Sequence, residues 1–219
     1  KKAISLSKHT DTTSHSKIQV LNNQWELLSL SFSSQPFQYT IPIIDTNCCN
    51  ESLFSSIAFS IMIAQHNKIQ NRIFLLGQHH QWISFDHLHN FVDIVSYIYK
   101  HIDFVFDTVS IDSLFKHIGQ TFLKSSSYDI TNNLRFVFFS TFSNSFYTNL
   151  LDTYLHEHIS NLLSKYRLYQ PSIIYWNIST QLNDFLPCTH DQRNTMLLSG
   201  FSPYLLTILK SFPKHHIKN

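Results

Sequence analysis

The residues best equipped for chemistry lie in one stretch, IPIIDTNCCNESLFSSIAFSIMIAQHN, from Ile41 to Asn67. An apolar run ends in Asp45, Asn47 follows, and Cys48 and Cys49 stand side by side where a helical pattern begins. An aspartate at a strand end is a hard oxygen ligand suited to Mg²⁺. A thiol between a strand and a helix N-terminus can become a nucleophile, because the local dipole favours the thiolate. A phosphatase-type loop would need an arginine on its far side, but Phe54 and Ser55 stand at that spacing and no glycine opens the loop. A thiol enzyme using Cys49 therefore ranks behind small, half-buried cysteines that fill a loop.

The other chemistry-bearing residues do not assemble into known motifs. His87 and His89, like His156 and His158, are two positions apart and fall on different faces of a helix. His79 and His80 sit on a hairpin tip, and an HExxH reading fails because Ser160 occupies the second histidine's place. Glu157 has no carboxylate partner at catalytic spacing, and no GxSxG occurs. The three glycines, Gly77, Gly119 and Gly200, cannot write GxGxxG or GxxxxGK[ST], which argues against nucleotide cofactors; no cofactor is implied.

Composition supplies the frame for these residues. In 219 residues, 43% are apolar and 14% charged, with 19 Phe and 10 Tyr, so the chain has the means to bury a sizeable core. Lys and Arg are dispersed around a net charge of +2, and no dense basic stripe exists for phosphate backbones. Cys48, Cys49 and Cys188 form no disulfide framework or zinc spacing, which points to a reducing, intracellular compartment. Every apolar run is broken before the roughly 20 residues a membrane span needs, so a soluble protein is expected.

Periodicity predicts the elements that position the candidates. Residues 1–36 read as a polar lead-in followed by a short helix anchored by Trp25, residues 37–213 as one domain and 214–219 as a tail. YTIPIID is a strand, and Leu53, Phe54, Ile57, Ala58, Ile61 and Met62 recur at helical spacing after it. RIFLL and QWISF form a hairpin around Gly77 to His80, and Asp86 caps the next helix. Asp112 caps another helix containing Leu114 and Ile118, and LRFVFF is a strand buried on both faces. Tyr147 to Leu162 make the longest helical stripe, SIIYWNI and TMLLS are strands, and Ser202-Pro203 starts a last helix. Alternation of this kind gives an α/β fold: a three-layer, doubly wound, mostly parallel sheet with an antiparallel edge hairpin. Ligands of such folds lie beyond the carboxyl ends of the strands, here the rim made by Asp45 to Asn50, Ser110 to Asp112 and Thr141 to Asn144.

These rim segments and IIYWNI…P…DQRNTMLLSGFSPYLLTIL resemble a domain-of-unknown-function family of plant and giant-virus proteins. In that family a TROVE-like helical region precedes a von Willebrand factor A-like domain, and the similarity runs from about Gln24 to Phe212, with QWELL, IIDTN, SIDSLF and FVFFST in the family's order. The resemblance implies a von Willebrand factor A-like, Rossmann-like domain. Such domains commonly hold Mg²⁺ through Asp-x-Ser-x-Ser, a Thr and a second Asp. The resemblance puts Asp45, Asn47 and Cys49 on the first motif, Ile111 on the Thr with Asp112 beside it, and Thr141 on the second Asp.

A soft thiol and a donorless isoleucine replace hard oxygen ligands, so a degenerate metal-ion-dependent adhesion site without metal is expected. The resulting expectation is a non-enzymatic interaction or structural module docking a protein partner through Asp45, Asn47, Cys49, Ile111, Asp112 and Thr141. RNA is the second partner that the resemblance implies, because TROVE-like proteins bind small RNAs. Neither a membrane nor a nucleotide partner is expected.

Overall fold

β-branched and aromatic runs pair into a single six-stranded sheet ordered β3-β2-β1-β4-β5-β6. The structure is a computed structural model that describes residues 12–33, 37, 39–69, 71–77, 79–103, 114, 116–118, 120, 134–142, 161, 164, 171–179 and 194–212. The strands are β1 (Tyr39–Asp45), β2 (Arg72–Leu76), β3 (Gln81–Ser84), β4 (Leu134–Ser140), β5 (Ser172–Asn177) and β6 (Thr195–Ser199). All neighbours are parallel except β2 and β3, whose antiparallel register runs from Arg72↔Ser84 to Leu75↔Gln81. This is the three-layer, doubly wound α/β architecture with an antiparallel edge hairpin. The chain leaves β1 towards β2 on one side, while β4 lies on the other, so the topological switch point falls between β1 and β4.

Every residue of β4 is buried, as a strand covered on both faces requires. On one face Ile44, Val137, Phe139, Ile174 and Trp176 meet the helices α1 (Thr12–Phe32), α2 (Asn50–Gln65), α3 (Phe91–Lys100) and α4 (Tyr204–Ser211). Phe59 of α2 stacks on Trp176 at 4.8 Å and lies 6.2 Å from the Phe139 ring, tying the central helix to β4 and β5. On the opposite face, His117 sets its ring edge on Phe74 at 5.8 Å, and the helical residues Leu114 and Ile118 are fully buried.

α1 has 21 residues and includes part of the polar lead-in, for which composition alone predicted no fold. Its docking is tertiary rather than a matter of propensity. Trp25 stacks on Phe91 at 4.0 Å and donates to Gln65 Oε1 at 3.1 Å, while Ser29 bonds His66 Nε2 at 2.7 Å. Asn22 also accepts the Val92 N–H at 3.1 Å, serving α3 as a cap from another element. The expected Asp86 cap is thereby corrected: α3 begins after Asn90, and Asp86 instead accepts from Ser84 at 2.7 Å. At the other terminus Ser202 Oγ accepts the Tyr204 N–H at 3.3 Å, and Pro203 already has helical angles, so the start of α4 falls where its sequence places it.

The floor of the sheet carries a buried and a half-buried cation aimed at helix ends. Arg135 of β4 donates to the carbonyls of Leu209 at 3.3 Å and Phe212 at 2.9 Å, the C-terminal end of α4, where the macrodipole favours positive charge. Burial holds its pKa below the ordinary arginine range. Lys210 donates to the Phe32 carbonyl at the end of α1 and lies over the rings of Phe32 and Phe37. Burial, with Lys210 nearby, pushes the His66 pKa down.

The expected helix over Tyr147 to Leu162 and the cap Asp112 of its neighbour lie outside or almost wholly outside the described residues. The aromatic layer between α2 and the sheet carries the core. Phe139→Ala should therefore cost about 3–5 kcal/mol in urea-induced unfolding, because the surrounding rings relax only partly into the space.

Candidate functional site

Strand ends at the switch point place four polar side chains in one row. Asp45 ends β1 one step beyond the Ile44↔Phe139 pair, which brings it beside Ser140; Ser140 is in register with Asn177, and Asn177 with Ser199. Each of the four follows an apolar run, so the sheet changes from hydrocarbon to polar groups along a single line.

Asp45 is 6% exposed and both of its oxygens are engaged. Ser140 Oγ donates to Oδ2 at 2.6 Å, and the Asn47 N–H donates to Oδ1 at 3.0 Å. The same Ser140 oxygen accepts the Phe142 N–H at 3.0 Å. Phe142 is buried with φ 49°, a left-handed conformation uncommon for a bulky side chain, so this bond helps fix a costly turn directly after β4. On the β2 side, Thr46 donates its N–H and hydroxyl to the Leu76 carbonyl at 3.0 and 3.1 Å. A Cβ at Gly77 would stand 2.6 Å from Thr46 Oγ1, which explains the glycine at that position.

The two cysteines have opposite environments. Cys48 is buried in the cluster with Leu53 and Phe85; burial pushes its thiol well above the ordinary value, and the Asp45 charge adds to the effect. Cys49 is exposed at the α2 N-cap, its Sγ 3.1 Å from Ser52 Oγ. The Ser52 hydroxyl and the helix N–H groups of Ser52 and Glu51 lower its pKa from the ordinary 9.0.

Of the residues singled out from sequence, Asp45, Asn47, Cys49 and Thr141 converge at this rim, while Ile111 and Asp112 lie outside the described residues. Asp45 and Thr141 are buried, and Asn47 and Cys49 are the pair that reaches the surface. Ser140 was missed, although strand alternation carries the signal: it shares the parity of Phe136 and Phe138 and so faces the same side as Asp45. Asn177 was missed as well; its Oδ1 is buried without a partner among the described residues.

The donors among the described residues suit a divalent ion poorly. Mg²⁺ demands near-octahedral oxygen ligands, whereas both Asp45 oxygens serve internal donors and the thiol of Cys49 is soft and turned towards Ser52. Among the described residues no three His, Cys, Asp or Glu side chains cluster as a metal centre. The exposed His79 Nδ1 meets Asp103 Oδ2 at 2.9 Å, beside the hairpin tip, as an isolated pair.

No protein-family model matches the chain, and no curated protein matches it. Among solved structures, the crystal structure of the Deinococcus radiodurans Ro (RSR) protein is similar, with a TM-score of 0.50 and 11% identity. The match covers 81% of this chain and 34% of that one, so the chain spans about a third of its length. The likeness is one of fold. Together with the strand order and the antiparallel edge, it is consistent with a von Willebrand factor A-like, Rossmann-like domain.

Two outcomes follow from this geometry. Ser140→Ala removes a donor from the buried carboxylate and frees the Phe142 turn, and should lower unfolding free energy by about 1–3 kcal/mol. Iodoacetamide should label Cys49 and spare Cys48 in the folded protein, with the pH midpoint of labelling below 9.0; Ser52→Ala should move that midpoint upward in stopped-time mass spectrometry.

Proposed function

We propose that this domain is a non-enzymatic protein-interaction or structural module, docking through a rim whose metal-ion-dependent adhesion site is degenerate. The observation that carries the reading is the closed state of Asp45: its two oxygens are bonded to Ser140 and Asn47, so the rim needs no cation to satisfy its buried carboxylate. Recognition then rests on the shape and polar groups of the Asn47–Cys49 loop and its surroundings. A partner of this kind fits a reducing compartment, because Cys48 and Cys49 are free thiols. No helix among the described residues is long and apolar enough to cross a membrane.

The residue-level resemblance to the plant and giant-virus family, with its TROVE-like region, supports a second reading. In that reading the domain belongs to an RNA-binding ribonucleoprotein, and the fold likeness to the Deinococcus radiodurans Ro protein is compatible with this alternative as with the first. RNA contact would then rest mainly with segments beyond this domain. A thiol enzyme using Cys49 stands third, supported by the lowered pKa alone.

Affinity purification from the native source, with and without EDTA, separates these readings. A defined protein partner retained equally in both buffers supports the module. A salt-dependent gel shift with RNA supports the second reading. Titration with Mg²⁺ or Mn²⁺ should leave the melting temperature unchanged, and a clear rise, or saturable micromolar binding, overturns the degenerate-site proposal.

A further inference from the structure

Among the described residues the sheet ends on one side at β6, whose strand neighbour is β5. The Ile173 N–H donates to the Asn194 carbonyl at 2.9 Å and the Gly200 N–H to the Asn177 carbonyl at 3.0 Å. With the register from Ile173↔Thr195 to Asn177↔Ser199, these end bonds fix the phase of the parallel ladder. Asn194, Met196, Leu198 and Gly200 turn their backbone groups towards β5, while Thr195, Leu197 and Ser199 turn theirs outward. Leu197 and Ser199 are exposed, and their outward groups meet nothing among the described residues.

Edge strands are usually protected by charge, proline or a bulge, because an open row of N–H and C=O groups templates another strand. The β6 sequence TMLLS contains no charge and no proline. Its exposed apolar surface continues past its end, with Leu197 40%, Phe201 36% and Tyr204 69% exposed.

We propose that β6 pairs antiparallel with β6 of a second copy of this chain, across a two-fold axis at Leu198. Centred there, Leu197 faces Ser199 of the second copy, and Ser199 faces its Leu197. Both residues direct their backbone groups outward, so each pair exchanges two N–H···O=C bonds, as in an antiparallel hydrogen-bonded pair. The strand's own open groups thus complete one another, without Thr195, and the uncharged TMLLS sequence lets a second copy approach without repulsion. No like charges meet along the pair. The contact is small against the roughly 1,200–2,000 Å² of a standard interface, so the dimer is weak, with a Kd above about 1 µM. The proposal is independent of the rim reading, because β6 pairs through its lateral edge.

Sedimentation equilibrium of the whole chain tests it. The apparent mass should climb from monomer towards dimer as concentration rises to about 1 mM. Leu197→Pro removes an outward donor without touching the β5–β6 ladder, and Leu197→Lys adds the missing charge. Both should raise the Kd by about tenfold or more while circular dichroism stays unchanged. Hydrogen exchange on the unmodified protein gives a readout independent of the variants: the amides of Leu197 and Ser199 should gain protection with concentration. A chain that stays monomeric to about 1 mM overturns the proposal, as does a dimer in which those two amides exchange freely.

Discussion

The hydroxyl of Ser140 joins the two halves of the sheet at the switch point between β1 and β4. By donating to Asp45 and accepting from Phe142, one oxygen satisfies a buried carboxylate on β1 and anchors a left-handed turn after β4. The strands on either side of the switch point lead to opposite halves of the sheet, and a crevice opens between their carboxyl ends. A charge in that crevice needs donors fixed in place, because burial without them costs several kcal/mol. Ser140 and the Asn47 N–H meet that need from within the chain. The α2 N-terminus, the Cys48–Cys49 pair and the polar row through Asn177 are all arranged around that closure.

Much of the fold could be read from the sequence, because each strand carries its own signal. YTIPIID, RIFLL, LRFVFF, SIIYWNI and TMLLS are β-branched or aromatic runs long enough to span the sheet, and all five correspond to strands. The hairpin at QWISF was equally plain from its short connection. Helix limits were less legible. Asp86 looked like a cap because it precedes an apolar stripe, yet α3 takes its cap from Asn22, seventy residues earlier, a partner no local pattern announces. α1 extends through Thr and Ser because Trp25, Asn22 and Ser29 dock it on α2 and α3.

The candidate site was legible in part, for the same reason. Asp45, Asn47 and Cys49 lie within five residues and share one strand-to-helix turn, so their convergence is local. Ser140 lies 95 residues from Asp45, and only the register of β1 on β4 brings it there. Sequence reasoning aimed at the neighbouring Thr141, one position away, and a one-residue slip along a strand reverses which face a side chain meets. The contrast between the two cysteines was likewise hidden, since it depends on what covers Cys48 and on the bond from Ser52 to Cys49.

Arg135 reaches from the middle of the sheet to the last turn of α4, and no carboxylate among the described residues accompanies it. Its positive charge is tolerated inside the protein only while the peptide oxygens of Leu209 and Phe212 remain in front of it. Removing that final turn would take both of these acceptors from the guanidinium, so the packing of α4 is felt at β4. Fraying of α4 is thereby coupled to β4, a strand at the centre of the sheet.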